Sequence, residues 1–206
     1  MSKIKSIAVY CGSSLGASPI YKEQAIIFAK ELVKRNITLI YGGASVGIMG
    51  TLADTVLAEG GKVIGVIPTL LEGREISHNN LTELHIVETM HQRKSKMIEL
   101  AEGFVALPGG FGTLEEFSEV FTWSQIGLHQ KPLGILNINQ FYAPLLMMID
   151  KMADEQFLHE KYRNMAIVEQ CPIQLLDKFE TYIAPPCKNL QQIKVKNDNN
   201  KKSNFV

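Results

Sequence analysis

Short β-branched apolar runs recur along this chain, each followed by a longer stretch with helical spacing, and that alternation restricts the fold more than any other feature. Apolar runs at residues 7–11, 38–41, 62–67, 84–87, 104–107 and 132–136 read as strands. Helical periodicity fills 19–35, 46–59, 90–102, 113–125, 142–155 and 172–182. Strands that are apolar on both faces need cover on both faces, and a strand followed by a helix returns to the sheet parallel to itself. The expected class is α/β: an open parallel sheet with helices on both faces. In the first helix, Ile26, Ile27, Ala29, Leu32 and Val33 make the inward stripe, and Gly60-Gly61 reads as a helix stop. Residues 68–80 are polar and turn-rich, an irregular stretch of the length that often forms a lid.

Of the 206 residues, 46% are hydrophobic, enough for one domain that needs neither disulfides nor a structural metal. The domain is expected over residues 1–185. Residues 186–206, rich in Lys and Asn with few large apolar side chains, read as a disordered tail. Lys+Arg and Asp+Glu balance at 21 each. Five lysines (188, 194, 196, 201 and 202) face Asp198 alone in the tail, so the body is mildly acidic. That balance argues against a nucleic-acid or membrane-surface binder, which gains affinity from many contacts to phosphates. No apolar run reaches the ~20 residues of a spanning helix, and the N-terminus lacks a signal-peptide pattern. Cys11, Cys171 and Cys187 show neither disulfide nor metal spacing, which points to a reducing cytoplasm.

Ligands of open parallel sheets bind beyond the carboxyl ends of the strands. Here those ends read Cys11-Gly12-Ser13-Ser14, then Tyr41-Gly42-Gly43-Ala44, then residues 108–116. Small residues in three such turns let backbone approach a ligand closely. The third turn is the most informative, because Gly109, Gly110 and Gly112 precede a helix whose free N–H groups and positive dipole end favour an anion, most simply a phosphate. Thr113 can cap that helix or bond the phosphate. No lysine follows the glycines as in a Walker loop, and the compressed glycine pattern at the fifth strand is a poor dinucleotide fingerprint. Glu115 and Glu116 lie in what reads as the first helical turn, where an acidic residue contributes about 0.3–1 kcal/mol through the macrodipole alone. A carboxylate beside a phosphate is otherwise repelled, unless it serves the sugar: one can bond ribose hydroxyls while the other handles a water or an oxocarbenium charge.

Arg93 opens the helix after the fourth strand, a position disfavoured for a cation unless an anion such as Glu116 or a ligand phosphate compensates. Lys94, taken alone, reads as solvated. His91 reads more readily as a capping or packing residue than as an acid or base. Cys11 reads as a small core residue. Met90 can touch a base at the cleft mouth, while Met97, Met147, Met148 and Met152 read as core or interface fill.

The run Pro108-Gly109-Gly110-Phe111-Gly112-Thr113-Leu114-Glu115-Glu116 resembles the PGGxGTxxE motif of the Lonely Guy family, the cytokinin riboside 5′-monophosphate phosphoribohydrolases. Met90-His91-Gln92-Arg93-Lys94 resembles that family's second motif. Cys11-Gly12-Ser13, Tyr41-Gly42-Gly43, Gly47-Ile48-Met49-Gly50, Val66-Ile67-Pro68 and Thr122-Trp123 agree as well. The resemblance runs from Ser6 to Tyr182. It implies a Rossmann-like domain, usually a homodimer, that hydrolyses the N-glycosidic bond of AMP or an N6-modified AMP, without metal or cofactor, to free base and ribose 5-phosphate. By motif, Arg93 and Glu116 carry over as the catalytic pair. The substrate-binding set implied is Ser13, Gly43, Glu75, Met90, Lys94, Gly109, Gly110, Phe111, Gly112, Thr113, Leu114 and Glu115. Family members have often been labelled lysine decarboxylases, yet the chain shows no recognisable pyridoxal constellation.

Two other readings stay open on the sequence. A non-hydrolytic nucleotide or molybdenum-cofactor carrier would use the same glycine loop. An interaction module would use Met-rich helices around Met49, Met97 and Trp123, residues that more readily bury a dimer interface.

Overall fold

The computed structural model describes residues 4–72, 78 and 80–185. Among them, seven strands form one parallel sheet: Ser6–Tyr10 (β1), Thr38–Tyr41 (β2), Val63–Pro68 (β3), Glu83–Val87 (β4), Gly103–Ala106 (β5), Leu133–Leu136 (β6) and Ala166–Glu169 (β7). Their order is β4-β3-β2-β1-β5-β6-β7. The helices are Pro19–Lys34 (α1), Gly47–Ala58 (α2), Thr69–Glu72 (α3), Met90–Leu100 (α4), Phe111–Gln125 (α5), Ala143–Asp154 (α6), Glu160–Arg163 (α7) and Pro172–Glu180 (α8), with a 3₁₀ turn at Ile138–Gln140.

Alternation along β1 shows why both faces need cover. Ile7, Val9 and Cys11 pack under α1, α2 and α8 with Phe28, Leu32, Leu52 and Leu175. Ala8 and Tyr10 face the other way, toward Met97 and Ile98 of α4 and Phe117 and Val120 of α5. Local signals set the helix starts. Proline occupies the first turn of α1, where its missing N–H costs nothing. In α4, Thr89 and Gln92 form a reciprocal capping box.

Consecutive strands run outward from β1 to β4 on one side, and β5 then returns to pair with β1 on the other, with Ile7 opposite both Leu39 and Gly103. Connections therefore diverge at the carboxyl ends of β1 and β5, leaving a crevice between the turns that follow them.

Several boundaries differ from the sequence reading. β7 and α7 were not anticipated. The glycine-loop helix begins at Phe111, two residues early, because Gly110 serves as its N-cap. The stretch expected to be irregular from residue 68 opens with strand residue Pro68 and the short α3, while residues 73–77 and 79 fall outside the described residues. The whole of the expected tail, 186–206, falls outside them too. Met49 and Met97 are core residues rather than interface fill, at 8% and 0% exposure. No helix among the described residues is long and apolar enough to cross a membrane.

Candidate active site

At the switch point the turns after β1 and β5 are bonded to each other. Gly12 N–H donates to the Pro108 carbonyl at 3.1 Å, and Ile48 N–H at the start of α2 donates to the Gly12 carbonyl at 3.1 Å. The Tyr142 hydroxyl donates to the Leu107 carbonyl at 2.6 Å, fixing the chain just before the glycines. A cleft of about 360 Å³ opens above these turns, lined among others by Gly12, Ser13, Pro108, Gly109 and Gly110. Larger hollows lie beside Cys171 (740 Å³) and beside Lys131 (970 Å³), but neither collects glycine turns or buried charge.

Gly109 is required by close approach. A Cβ there would lie 2.1 Å from Thr113 Oγ1 and 2.8 Å from Gly12 N. Around Gly110 and Gly112, by contrast, the space is open, with nothing within 4 Å of an added Cβ. Gly110 offers no side chain to cap α5, and the first intrahelical bond shown runs from Leu114 N–H to the Gly110 carbonyl at 3.2 Å. The N–H groups of Phe111, Gly112 and Thr113 precede that bond and belong to the orphan donors of a helix start, a cradle for an anion. Thr113 does not cap the helix. It sits in the first turn, 4% exposed, with its hydroxyl against Gly109.

The early helix start also moves the two glutamates. With Phe111 as the first helical residue, Glu115 and Glu116 occupy the second turn, where dipole stabilisation has faded. Capping therefore does not account for them. Glu116 turns inward, its side chain 12% exposed, and its Oε1 lies 3.7 Å from Arg93 Nη1. Burial, reinforced by Glu115 and Glu119 and opposed by Arg93 and Lys94, pushes its carboxyl up to about 6. Glu115 turns outward, its side chain 57% exposed, and pairs with Lys94.

Arg93 is 8% exposed. Its Nε donates to the Val66 carbonyl at 3.1 Å, and its Nη2 lies where a Cβ on Gly42 would come within 2.0 Å. The Gly42 turn thus exists in the form that admits this guanidinium. Lys94 is not solvated. It is 8% exposed, bonded to Glu115, and 3.2 Å from Glu119 Oε2. Burial works against its charge, yet the two carboxylates win and its pKa is raised.

Of the other expected site residues, Gly43 is buried beside Gly42, Ser13 is exposed at the cleft, and Leu114 packs against the core. Met90 and Phe111 are exposed near the mouth, at 41% and 91%. Glu75 lies outside the described residues. His91 is exposed and Gln92 does the capping in its place. The Cys11 thiol is pushed up, first by burial and then by Glu116, which leaves it unreactive. Tyr142 and Glu119 were not expected at the site, and Val66 was expected only as a family match, not as the anchor of Arg93. Only Glu119 had a readable signal, since it follows Glu115 by four residues on the same helix face.

Known proteins resemble this chain in sequence and in fold. A family model described as possible lysine decarboxylase matches residues 49–179. A probable cytokinin riboside 5′-monophosphate phosphoribohydrolase of Oryza sativa subsp. japonica is 47% identical over 88% of this chain and 74% of that one. A cytokinin riboside 5′-monophosphate phosphoribohydrolase of Arabidopsis thaliana is 46% identical over 88% of this chain and 85% of that one. Among solved structures, the molybdenum cofactor binding protein of Rippkaea orientalis matches with a TM-score of 0.65 at 18% identity, covering 86% of this chain and 96% of that one. At that identity the likeness is one of fold.

Proposed function

The chain belongs to the Lonely Guy family of cytokinin riboside 5′-monophosphate phosphoribohydrolases, and on that premise we propose that it hydrolyses the N-glycosidic bond of AMP or an N6-modified AMP, releasing the base and ribose 5-phosphate. The observation that carries this reading is the buried Arg93–Glu116 pair beside a glycine-rich helix start that no side chain caps. A 5′-phosphate bonds the N–H groups of residues 111–113, with Gly109, Gly110 and Ser13 flanking it. The sugar then lies toward Glu116. Breaking the bond from C1′ to the base builds oxocarbenium character on the ribose, and Glu116 as carboxylate stabilises that charge or takes a proton from the attacking water. Arg93, anchored on the Val66 carbonyl, orients Glu116 and keeps it ionised near neutral pH. Gly43, Met90, Phe111, Leu114 and Glu75 complete the contacts to sugar and base, with Lys94 and Glu115 at the rim.

The same reading takes the protein as a cytoplasmic homodimer acting on a free nucleotide rather than on nucleic acid. Unpaired Cys11 and Cys171 suit a reducing compartment. Exposed Met147, Met148 and Phe157 offer apolar surface for a second copy to cover. Light scattering that gives a monomer would remove the dimer. A carrier role rests on fold likeness alone and has no use for a buried Arg–Glu pair.

The test is chromatography of AMP, N6-isopentenyl-AMP, GMP and CMP after incubation with the protein and no added metal. Base and ribose 5-phosphate should appear in equal amounts from the adenine nucleotides and vanish with Glu116→Gln. Binding without release by the wild type would overturn the hydrolase reading.

A further inference from the structure

Gly42 and Gly43 carry no side chains to hold their turn, and Gly43 lies in the left-handed region at φ 81°. Arg93 packs directly on that turn. Its geometry therefore depends on hydrogen bonds made by its backbone, and the Gly43 carbonyl accepts one from His78 N–H at 3.1 Å. His78 is itself fastened through its ring. Nε2 lies 2.9 Å from Asp54 Oδ1 on α2, and Asn80 N–H donates to Nδ1 at 3.3 Å. Because Nδ1 accepts, Nε2 carries the proton and donates to Asp54. The ring is 9% exposed and both its nitrogens are engaged. Asp54 also stands near the buried Tyr41 phenol at the head of the same turn, which burial and then the Asp54 charge push up.

We propose that Asp54 and His78 form a positioning pair: they hold the Gly42–Gly43 turn in the form that seats the Arg93 guanidinium against Glu116. The inference rests on the phosphoribohydrolase reading above. Neither residue touches the reacting atoms. Asp54 is 71% exposed, so the pair contributes little to global stability, and its effect is local to the cleft.

The acid limb of kcat/KM carries a readout that a merely structural role would not move. Glu116 is faced by Arg93 and Lys94 from α4, by Glu115 and Glu119 on its own helix, and by Tyr10 and Cys11 at the end of β1. Arg93 is the first of the charges opposing the rise. The first ångström added to the 3.7 Å Arg93–Glu116 separation moves the limb upward by about 0.7 of a pH unit at an effective dielectric of about 20.

Asp54→Ala, His78→Ala and the double variant should show the same upward shift and the same loss of kcat, about tenfold, since removing either partner undoes one device. Asp54→Asn keeps an acceptor for Nε2–H and should behave as wild type. Melting temperatures should move by less than about 3 °C throughout. An unshifted limb in Asp54→Ala, or an Asp54→Asn variant as impaired as Asp54→Ala, overturns the proposal. Hydrogen exchange of the His78 amide is read in parallel and is independent of the chemistry. Asp54→Ala should accelerate it, and unchanged exchange also overturns the proposal. Should the wild type release no base at all, the function falls, and the amide alone decides the pair.

Discussion

Glu116→Gln separates catalysis from stability in opposite directions. Burial raises the Glu116 carboxyl from an ordinary 4.5 to about 6 in the folded protein, so the fold holds its protonated form better than its ionised form. The sign follows from linkage: stability associated with this group is fully present below pH 4.5 and is lost as pH rises through about 6. A shift of about 1.5 pH units corresponds to about 2 kcal/mol that the ionised carboxylate costs the fold at pH 8. Glutamine imitates the protonated form at every pH. The variant should therefore exceed the wild type in stability by about 2 kcal/mol at pH 8, by under about 1 kcal/mol at pH 5, and by nothing below about pH 4. For a domain of this size the pH 8 figure is a rise in Tm of about 4–8 °C. Urea unfolding of both proteins across pH 4–8 reads the difference directly, beside a kcat reduced at least a hundredfold. A variant that is less stable than the wild type at pH 8, or whose advantage does not grow with pH, would refute the claim that Glu116 is held ionised against its burial.

The wild-type kcat/KM should fall as pH drops through about 6, when Glu116 takes up a proton, and a limb near 4 would contradict the rise that burial gives its carboxyl. Arg93→Gln removes the first opposing charge on Glu116, so that limb should move to higher pH while kcat falls, which a pH–rate series measures. Gly109→Ala drives a methyl into Thr113 Oγ1 and Gly12 N, and should cost about 1–3 kcal/mol in denaturant melts together with a raised KM for the nucleotide. Lys94→Met frees Glu115 and Glu119 from their cation, so the acid limb should rise with KM unchanged within about twofold; a large KM increase would instead make Lys94 a direct phosphate contact.

The sheet and the Arg93–Glu116 ion pair were legible for different reasons. Parallel strands buried on both faces are written largely in apolar residues, which is why β1, β2, β3, β5 and β6 stood out. β7 did not: Ala166–Glu169 is half-buried at the sheet edge and enters from the four-residue α7, so neither a fully apolar run nor a long preceding helix announced it. Arg93 and Glu116 were paired by the two motifs of the family resemblance; placed alone, Arg93 asked only for a compensating anion, Glu116 or a ligand phosphate. Lys94 was misjudged as solvated because its partners lie 21 and 25 residues away on α5, a juxtaposition that only the packing of α4 beside α5 creates. The helix start at Phe111 was hidden for a local reason. Glycine is a poor helix former, so Gly110 and Gly112 read as loop, whereas the structure uses the first as cap and the second as helix.

The proposed hydrolysis depends on a phosphate cradle whose binding energy is realised at a distant glycosidic bond. Turnover of AMP against adenosine, measured as released adenine with the same protein preparation, tests that claim most directly. The account expects kcat/KM for adenosine to be lower by about a thousandfold or more, with part of the loss in kcat itself. Equal turnover of the two would contradict it, since the α5 start that no side chain caps and the open space over Gly110 and Gly112 would then have no part in the chemistry.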